Sequence, residues 1–140
     1  MSWRVTPSSD PELRGAVQAI LRGFNAPAGV TGPDDAEPLN LEALDPDGSR
    51  IGGLVGETYW RWLVIDVLAV DPQFRGRGVG TELVRRAEAI AAGRGCLRAH
   101  TTAWAFQGLG FWQQMGYSIV GELADHPDGH VQYWLRRDFS

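Results

Sequence analysis

Two apolar periods alternate along the chain, and the switches between them mark its elements. Leu13, Val17, Ile20, Leu21 and Phe24 recur at three- and four-residue spacing, which predicts a helix over 10–24. Its start offers two alternative caps: Asp10 with Pro11 at the first helical position, or Ser9 with Glu12 at capping-box spacing. The stretch 25–38 is rich in Pro, Gly, Ala and Asp and reads as a long loop, with Asp34, Asp35 and Glu37 expected on a solvated surface. Residues 39–44 and 50–58 read as strands joined by the turn Asp45-Pro46-Asp47-Gly48. Residues 60–70 are apolar almost throughout, the pattern of a strand inside a sheet, and period two would set Trp60 and Trp62 on one face. Gly56, in the strand before, marks a bulge or a close backbone approach.

A helical period returns over 79–92, where Val79, Leu83, Val84, Ala87, Ile90 and Ala91 share a face and Gly93 closes the helix. A strand over 96–102, a short helix over 108–115 and closing strands over 117–123 and 131–137 complete the pattern. Strand, loop, helix and strand between 60 and 102 form a βαβ crossover, so those two strands should run parallel. With hairpins on either side, the fold class is α/β (α+β), built on a mixed sheet. Its 140 residues suit one domain, 1–140.

The segment from Leu68 to Ile90 carries the chemistry. A strand ends, a Gly-Arg loop follows, and the loop opens into the helix at 79. Gly76, Gly78 and Gly80 let backbone N–H groups approach a ligand, and the helix start adds free N–H donors and a positive dipole end. Arg75 and Arg77 add guanidinium forks that match phosphate oxygens. A pyrophosphate fits this arrangement. A Walker loop is excluded because all 13 basic residues are arginine, and a dinucleotide fingerprint because the spacing is GxGxG and lies mid-chain.

Bulk properties narrow the field. Net charge is −4, against nucleic-acid or anionic-membrane partners, while Arg75, Arg77, Arg85 and Arg86 form a local basic spot suited to a small anion. No apolar run reaches membrane-spanning length and no signal peptide is read, so the cytoplasm is the expected location. The single cysteine, Cys96, excludes an internal disulfide and is expected to be an inert buried thiol. His126 and His130 lack a third ligand, so no metal is expected. Six tryptophans leave room for a homodimer interface as well as for an acceptor cleft or plain core.

Arg75, Gly78 and Gly80 fit [RQ]xxGx[GA], which resembles the acyl-CoA pyrophosphate loop of the GNAT superfamily of N-acyltransferases. Phe111-Trp112-Gln113-Gln114-Met115-Gly116-Tyr117 resembles the family's FYxKxGF segment. Gly52-Gly53-Leu54, Trp60-Arg61-Trp62-Leu63, Phe106-Gln107 and His126-Pro127-Asp128-Gly129-His130 resemble a bacterial subgroup of that family. The resemblance implies a GNAT-like fold with a central sheet of about six to seven strands and helices on both faces. It also implies acetyl-CoA as co-substrate and transfer of its acetyl group to a primary amine of a small molecule or peptide. Leu68, Ala69 and Val70 would pair with the pantetheine arm as a strand would. Arg75, Gly76, Arg77, Gly78, Val79, Gly80 and Thr81 would cradle the pyrophosphate, and Phe111 and Trp112 would pack on the cofactor.

Two proton transfers need residues. Base candidates are Glu57 and Asp66, with His100 behind them. Asp66, inside an apolar strand, reads either as a hydrogen-bonded structural carboxylate or as one tuned for catalysis. The family's tyrosine acid is replaced by Trp112, whose indole donates a hydrogen bond but is no usable acid, and Tyr117 is expected in the core. That departure leaves a non-catalytic acyl-CoA sensor as the alternative reading.

Overall fold

The computed structural model describes residues 2–29 and 35–139, so part of the loop expected at 25–38, including Asp34, lies outside the described residues. The chain divides into two compact units, 1–34 and 35–140. In the first, helix α1 spans Leu13–Asn25. Neither expected cap holds: Glu12 is the N-cap, without a side-chain cap hydrogen bond, and Asp10 instead closes a turn before it, its Oδ1 accepting the Glu12 N–H at 2.9 Å and its carbonyl the Leu13 N–H at 3.2 Å. That turn takes up Pro11 and Glu12, so the helix begins later than the apolar spacing alone implies.

In the second unit a six-stranded sheet has the order β1-β2-β3-β4-β6-β5. The strands are β1 Glu37–Leu44, β2 Arg50–Tyr59, β3 Trp62–Val70, β4 Arg98–Trp104, β5 Ser118–Ala124 and β6 Val131–Asp138. Only β3 and β4 are parallel, joined through α2 (Val79–Gly93) as the crossover requires. The apolar face of α2 (Leu83, Val84, Ala87, Ala91) packs on Leu39, Leu54, Leu63 and Ile65 of the sheet. Helix α3 (Leu109–Gln114) adds Trp112 to the same core, with Met115 and Tyr117 just beyond it. Cys96 is buried there, and burial raises its thiol pKa against the opposing pull of Arg94, as expected of an inert cysteine. No helix among the described residues is long and apolar enough to cross a membrane.

The β2–β3 connection differs from the expected long strand. Trp60 and Arg61 both take left-handed backbone, with φ of 51° and 65°, as a two-residue hairpin turn demands. Trp60 therefore leaves the strand and shares no face with Trp62. Its ring meets Tyr59 edge-on at 5.4 Å, whereas Trp62 lies under the guanidinium groups of Arg98 and Arg136 at 5.1 and 5.0 Å. Asp35 is more than solvated surface, because its carboxylate accepts the Trp60 N–H at 3.2 Å. Glu37 likewise sits in β1, 3.6 Å from Arg94.

One irregularity positions everything downstream. Val55 pairs with Val67 and Gly56 with Ile65, so Asp66 is an extra residue on β3. Such a bulge bends its strand and re-aims the residues beyond it. Gly56 lies opposite, where an added Cβ would collide with the Val64 carbonyl oxygen. We predict that Gly56→Ala lowers unfolding free energy by about 2–3 kcal/mol through this overpacking. Gly93→Ala, placed where a Cβ meets nothing, should stay within about 1 kcal/mol of the parent. Denaturant titration of the two variants measures both values.

Candidate active site

Parallel pairing of β3 with β4 runs from Trp62–Arg98 to Ile65–Thr101 and stops there. Beyond it β3 stays with β2 to Val70, and β4 stays with β6 to Trp104. The two strands thus part in a V. At its vertex the buried Thr101 hydroxyl donates to the Ile65 carbonyl at 2.9 Å, which fixes where the opening begins. Between the arms lies a cleft of about 570 Å³.

One wall of the cleft is Leu68, Ala69 and Val70. Past Val70, Asp71 caps a single 3-10 turn (Pro72–Phe74) by accepting the Gln73 N–H at 2.9 Å. The Arg75 side chain donates back to the Val70 carbonyl at 3.3 Å. Gly76 and Gly78 then take φ of 76° and 85°, a conformation that side chains with a Cβ rarely adopt, and Gly78 leads directly into α2. Arg75, Gly76, Gly78, Val79, Gly80 and Thr81 all line the cleft, and Phe111 and Trp112 of α3 close its far side. The Phe111 ring packs over Gly80, where an added Cβ would meet it at 3.5 Å, an ordinary contact.

Of the four expected basic groups Arg75 lines the cleft, and Arg77, Arg85 and Arg86 do not. Arg77 lines a neighbouring hollow with Leu41 and Glu82, its guanidinium 5.3 Å over the Phe74 ring. Arg85 turns into the protein, 2.7 Å from Glu88 and 3.2 Å from the Met115 carbonyl, because Glu88 at i+3 is buried and requires a partner. The cleft also takes in Phe74, Phe106, Gln107 and Gly108, to which sequence reasoning gave no role. Phe106-Gln107 was visible as a subgroup signature, and its place on the wall follows from β4 running past the vertex.

The base candidates separate by geometry. Asp66, expected inside an apolar strand, is the exposed bulge residue, one step past the last β3–β4 pair and two before Leu68. Among the described residues no side-chain hydrogen bond holds it, and it is not among the residues that line the cleft. Glu57 lies on β2 opposite Val64, before the vertex. His100 pairs with Val64 on β4. Burial pulls its pKa below the usual histidine value, against the opposing charge of Asp66 nearby.

Residues 20–117 match the model of the acetyltransferase (GNAT) family. The chain belongs to that family. It is 39% identical over 108 residues to a blasticidin-S acetyltransferase of Streptomyces morookaense, a match covering 74% of this chain and 79% of that one. An acetyltransferase of Agrobacterium fabrum is 30% identical over 139 residues, 99% of this chain and all of the relative. Among solved structures, an acetyltransferase from Bacillus cereus superposes with a TM-score of 0.86 at 27% identity, over 97% of both chains. The GNAT expectation from the loop and the FW…GY segment is borne out, as is the mixed-sheet fold. The protein is an acetyl-CoA-dependent N-acetyltransferase, and the sensor alternative falls away.

Within this acetyltransferase Tyr117 is no proton donor to the cleft. Its ring is buried against Trp112 at 4.9 Å, and its hydroxyl donates to Glu88 at 2.8 Å. Burial, then the adjacent Glu88 charge, drives its pKa far above the ordinary tyrosine value. Glu88 is itself held by Arg85 at 2.7 Å and Arg137 at 3.1 Å. Tyr117→Phe should therefore lower stability by about 1.5–3 kcal/mol through loss of one buried hydrogen bond to a charged group. Its kcat for acetyl transfer should stay near the parent value. A fall of about 10²-fold or more in kcat, the size general acid catalysis supplies, would identify Tyr117 as the acid after all.

Proposed function

We propose that the V-shaped cleft binds acetyl-CoA along β3 and that the acetyl group passes directly to the primary amine of a small molecule. The observation that carries this reading is the coincidence of three features in one cleft: β3 backbone at Leu68–Val70 that pairs with β2 but no longer with β4, a left-handed glycine loop, and the start of α2. Main-chain groups of Leu68, Ala69 and Val70 supply the hydrogen bonds of an added strand, irrespective of side chain. Arg75 and the N–H groups of Gly76 to Thr81 face the pyrophosphate, where charge-assisted bonds and the helix dipole act together. Acetyl-CoA supplies an activated thioester with a good leaving thiolate.

The chain's residues then handle charge and protons. A backbone N–H at Leu68 stabilises the oxyanion formed when the amine attacks the thioester carbonyl. Asp66 takes the proton from the acceptor ammonium, directly or through water, and His100 offers a neutral imidazole beside it. Glu57 is the second candidate, set further from the vertex. The departing thiolate takes its proton from solvent, because Trp112 is no acid and Tyr117 is bound to Glu88. A small-molecule acceptor is supported by the blasticidin-S acetyltransferase likeness, and a cationic one by the net charge of −4.

Thiol release with acetyl-CoA and an amine panel tests the assignment. Asp66→Asn should cut kcat/KM by about 10²-fold with unchanged acetyl-CoA affinity. Glu57→Gln should cost less than about fivefold, well below a general-base contribution. The reverse order would move the base to Glu57. Loss of acetyl-CoA binding on Asp66→Asn would make Asp66 a structural residue.

A further inference from the structure

Beside the cleft lies an aromatic cluster that neither the cofactor loop nor the proton transfers use. Trp104 ends β4, and its ring stacks on Phe106 at 6.0 Å with 25° between the planes. The His130 ring meets Phe106 edge-on at 4.8 Å. Phe106 is 62% exposed, although it is a large apolar ring lining the same cleft as Leu68 and Ala69. Ordinary folding leaves little reason to hold three rings in register at an open cleft mouth, since each loses rotamer freedom without full burial.

The cluster is also braced. The Trp104 indole N–H donates to the His126 carbonyl, tying the end of β4 to the β5–β6 connection. That connection is closed on itself: His126 N–H to His130 O at 3.1 Å, His130 N–H to Pro127 O at 2.9 Å, and Gly129 N–H to Asp125 Oδ1 at 3.2 Å. His130 is thereby fixed against Phe106. The same connection, 125–130, carries Asp125 and Asp128, contains no arginine, and is exposed throughout. A fixed aromatic surface beside uncompensated carboxylates attracts an ammonium and offers a π face to a flat ring.

We propose that Trp104, Phe106 and His130 form the acceptor subsite of this acetyltransferase, and that its preferred acceptors carry the primary ammonium on a flat ring. The inference rests on the proposed use of the cleft for acetyl transfer and adds the substrate class. Stacking sets the ring on the platform, the acidic connection draws the ammonium, and Phe106 joins the subsite to the cleft.

The test compares benzylamine with cyclohexylmethylamine, which have equal charge and carbon number but differ in the π face. The parent enzyme should favour benzylamine by about tenfold in kcat/KM, the scale of one aromatic pairing. Trp104→Leu should erase that preference with little change in KM for acetyl-CoA, whereas Trp134→Leu, on β6, should retain it. Equal use of the two amines by the parent, or a preference that survives Trp104→Leu, overturns the proposal. Saturation-transfer NMR of the same amines with the free protein separates this failure from that of the transfer reading. Benzylamine contact removed by Trp104→Leu upholds the platform even without turnover, and absence of contact overturns it.

Discussion

The cleft exists because β3 carries one residue more than β2 can pair. Asp66 is that residue, and Gly56 is its counterpart: only a glycine admits the Val64 carbonyl so closely. The bulge bends β3 just where its parallel pairing with β4 ends. Backbone groups that would otherwise satisfy one another across the sheet are left facing an opening, where an added strand can pair with them in place of water. That is the role proposed for the arm of acetyl-CoA. The same extra residue sets a carboxylate one step past the vertex, and it is the base in the proposed reaction.

Holding the cleft open needs walls that do not collapse. On the α2 side the core of Leu83, Val84, Ala87 and Ala91 is flush with the sheet. Across from it, the buried Glu88 carboxylate gathers Arg85, Arg137 and the Tyr117 hydroxyl, joining α2 to β6 and to the end of α3. A buried charge with several well-placed partners is worth little as net stability, but breaking the set is costly, which restricts the arrangement to one geometry. Tyr117 is recruited to this bracing, and its hydroxyl is lost to catalysis. Its role and the replacement of the expected tyrosine by Trp112 are consistent with a reaction that relies on the leaving thiolate rather than on an acid.

Much of this was legible in the sequence for a physical reason. Three glycines spaced before a helix with an apolar face can do few things, and the loop and the crossover followed, while the wall at Leu68–Val70 came from the resemblance to the GNAT family. The missed features depend on contacts that spacing does not encode. Trp60 and Arg61 form a left-handed turn without the glycine or asparagine that usually signals one. Arg85 looked like part of a basic spot, yet its partners are Glu88 and a carbonyl 30 residues away. Asp66 read as an embedded strand residue because alternation within one strand cannot reveal a bulge in its pairing with the next. Phe106 gained a position on the cleft only once β4 was seen to run past the vertex.

The central claim is that the β4-facing edge of β3, past the last β3–β4 pair, binds the donor's arm as an added strand. Amide hydrogen exchange with and without acetyl-CoA tests it most directly. The account predicts slowed exchange at Leu68 to Val70 together with Gly76 to Thr81, and little change in β1. Protection confined to the hollow around Arg77, or none at Leu68 to Val70 with acetyl-CoA bound, would contradict it.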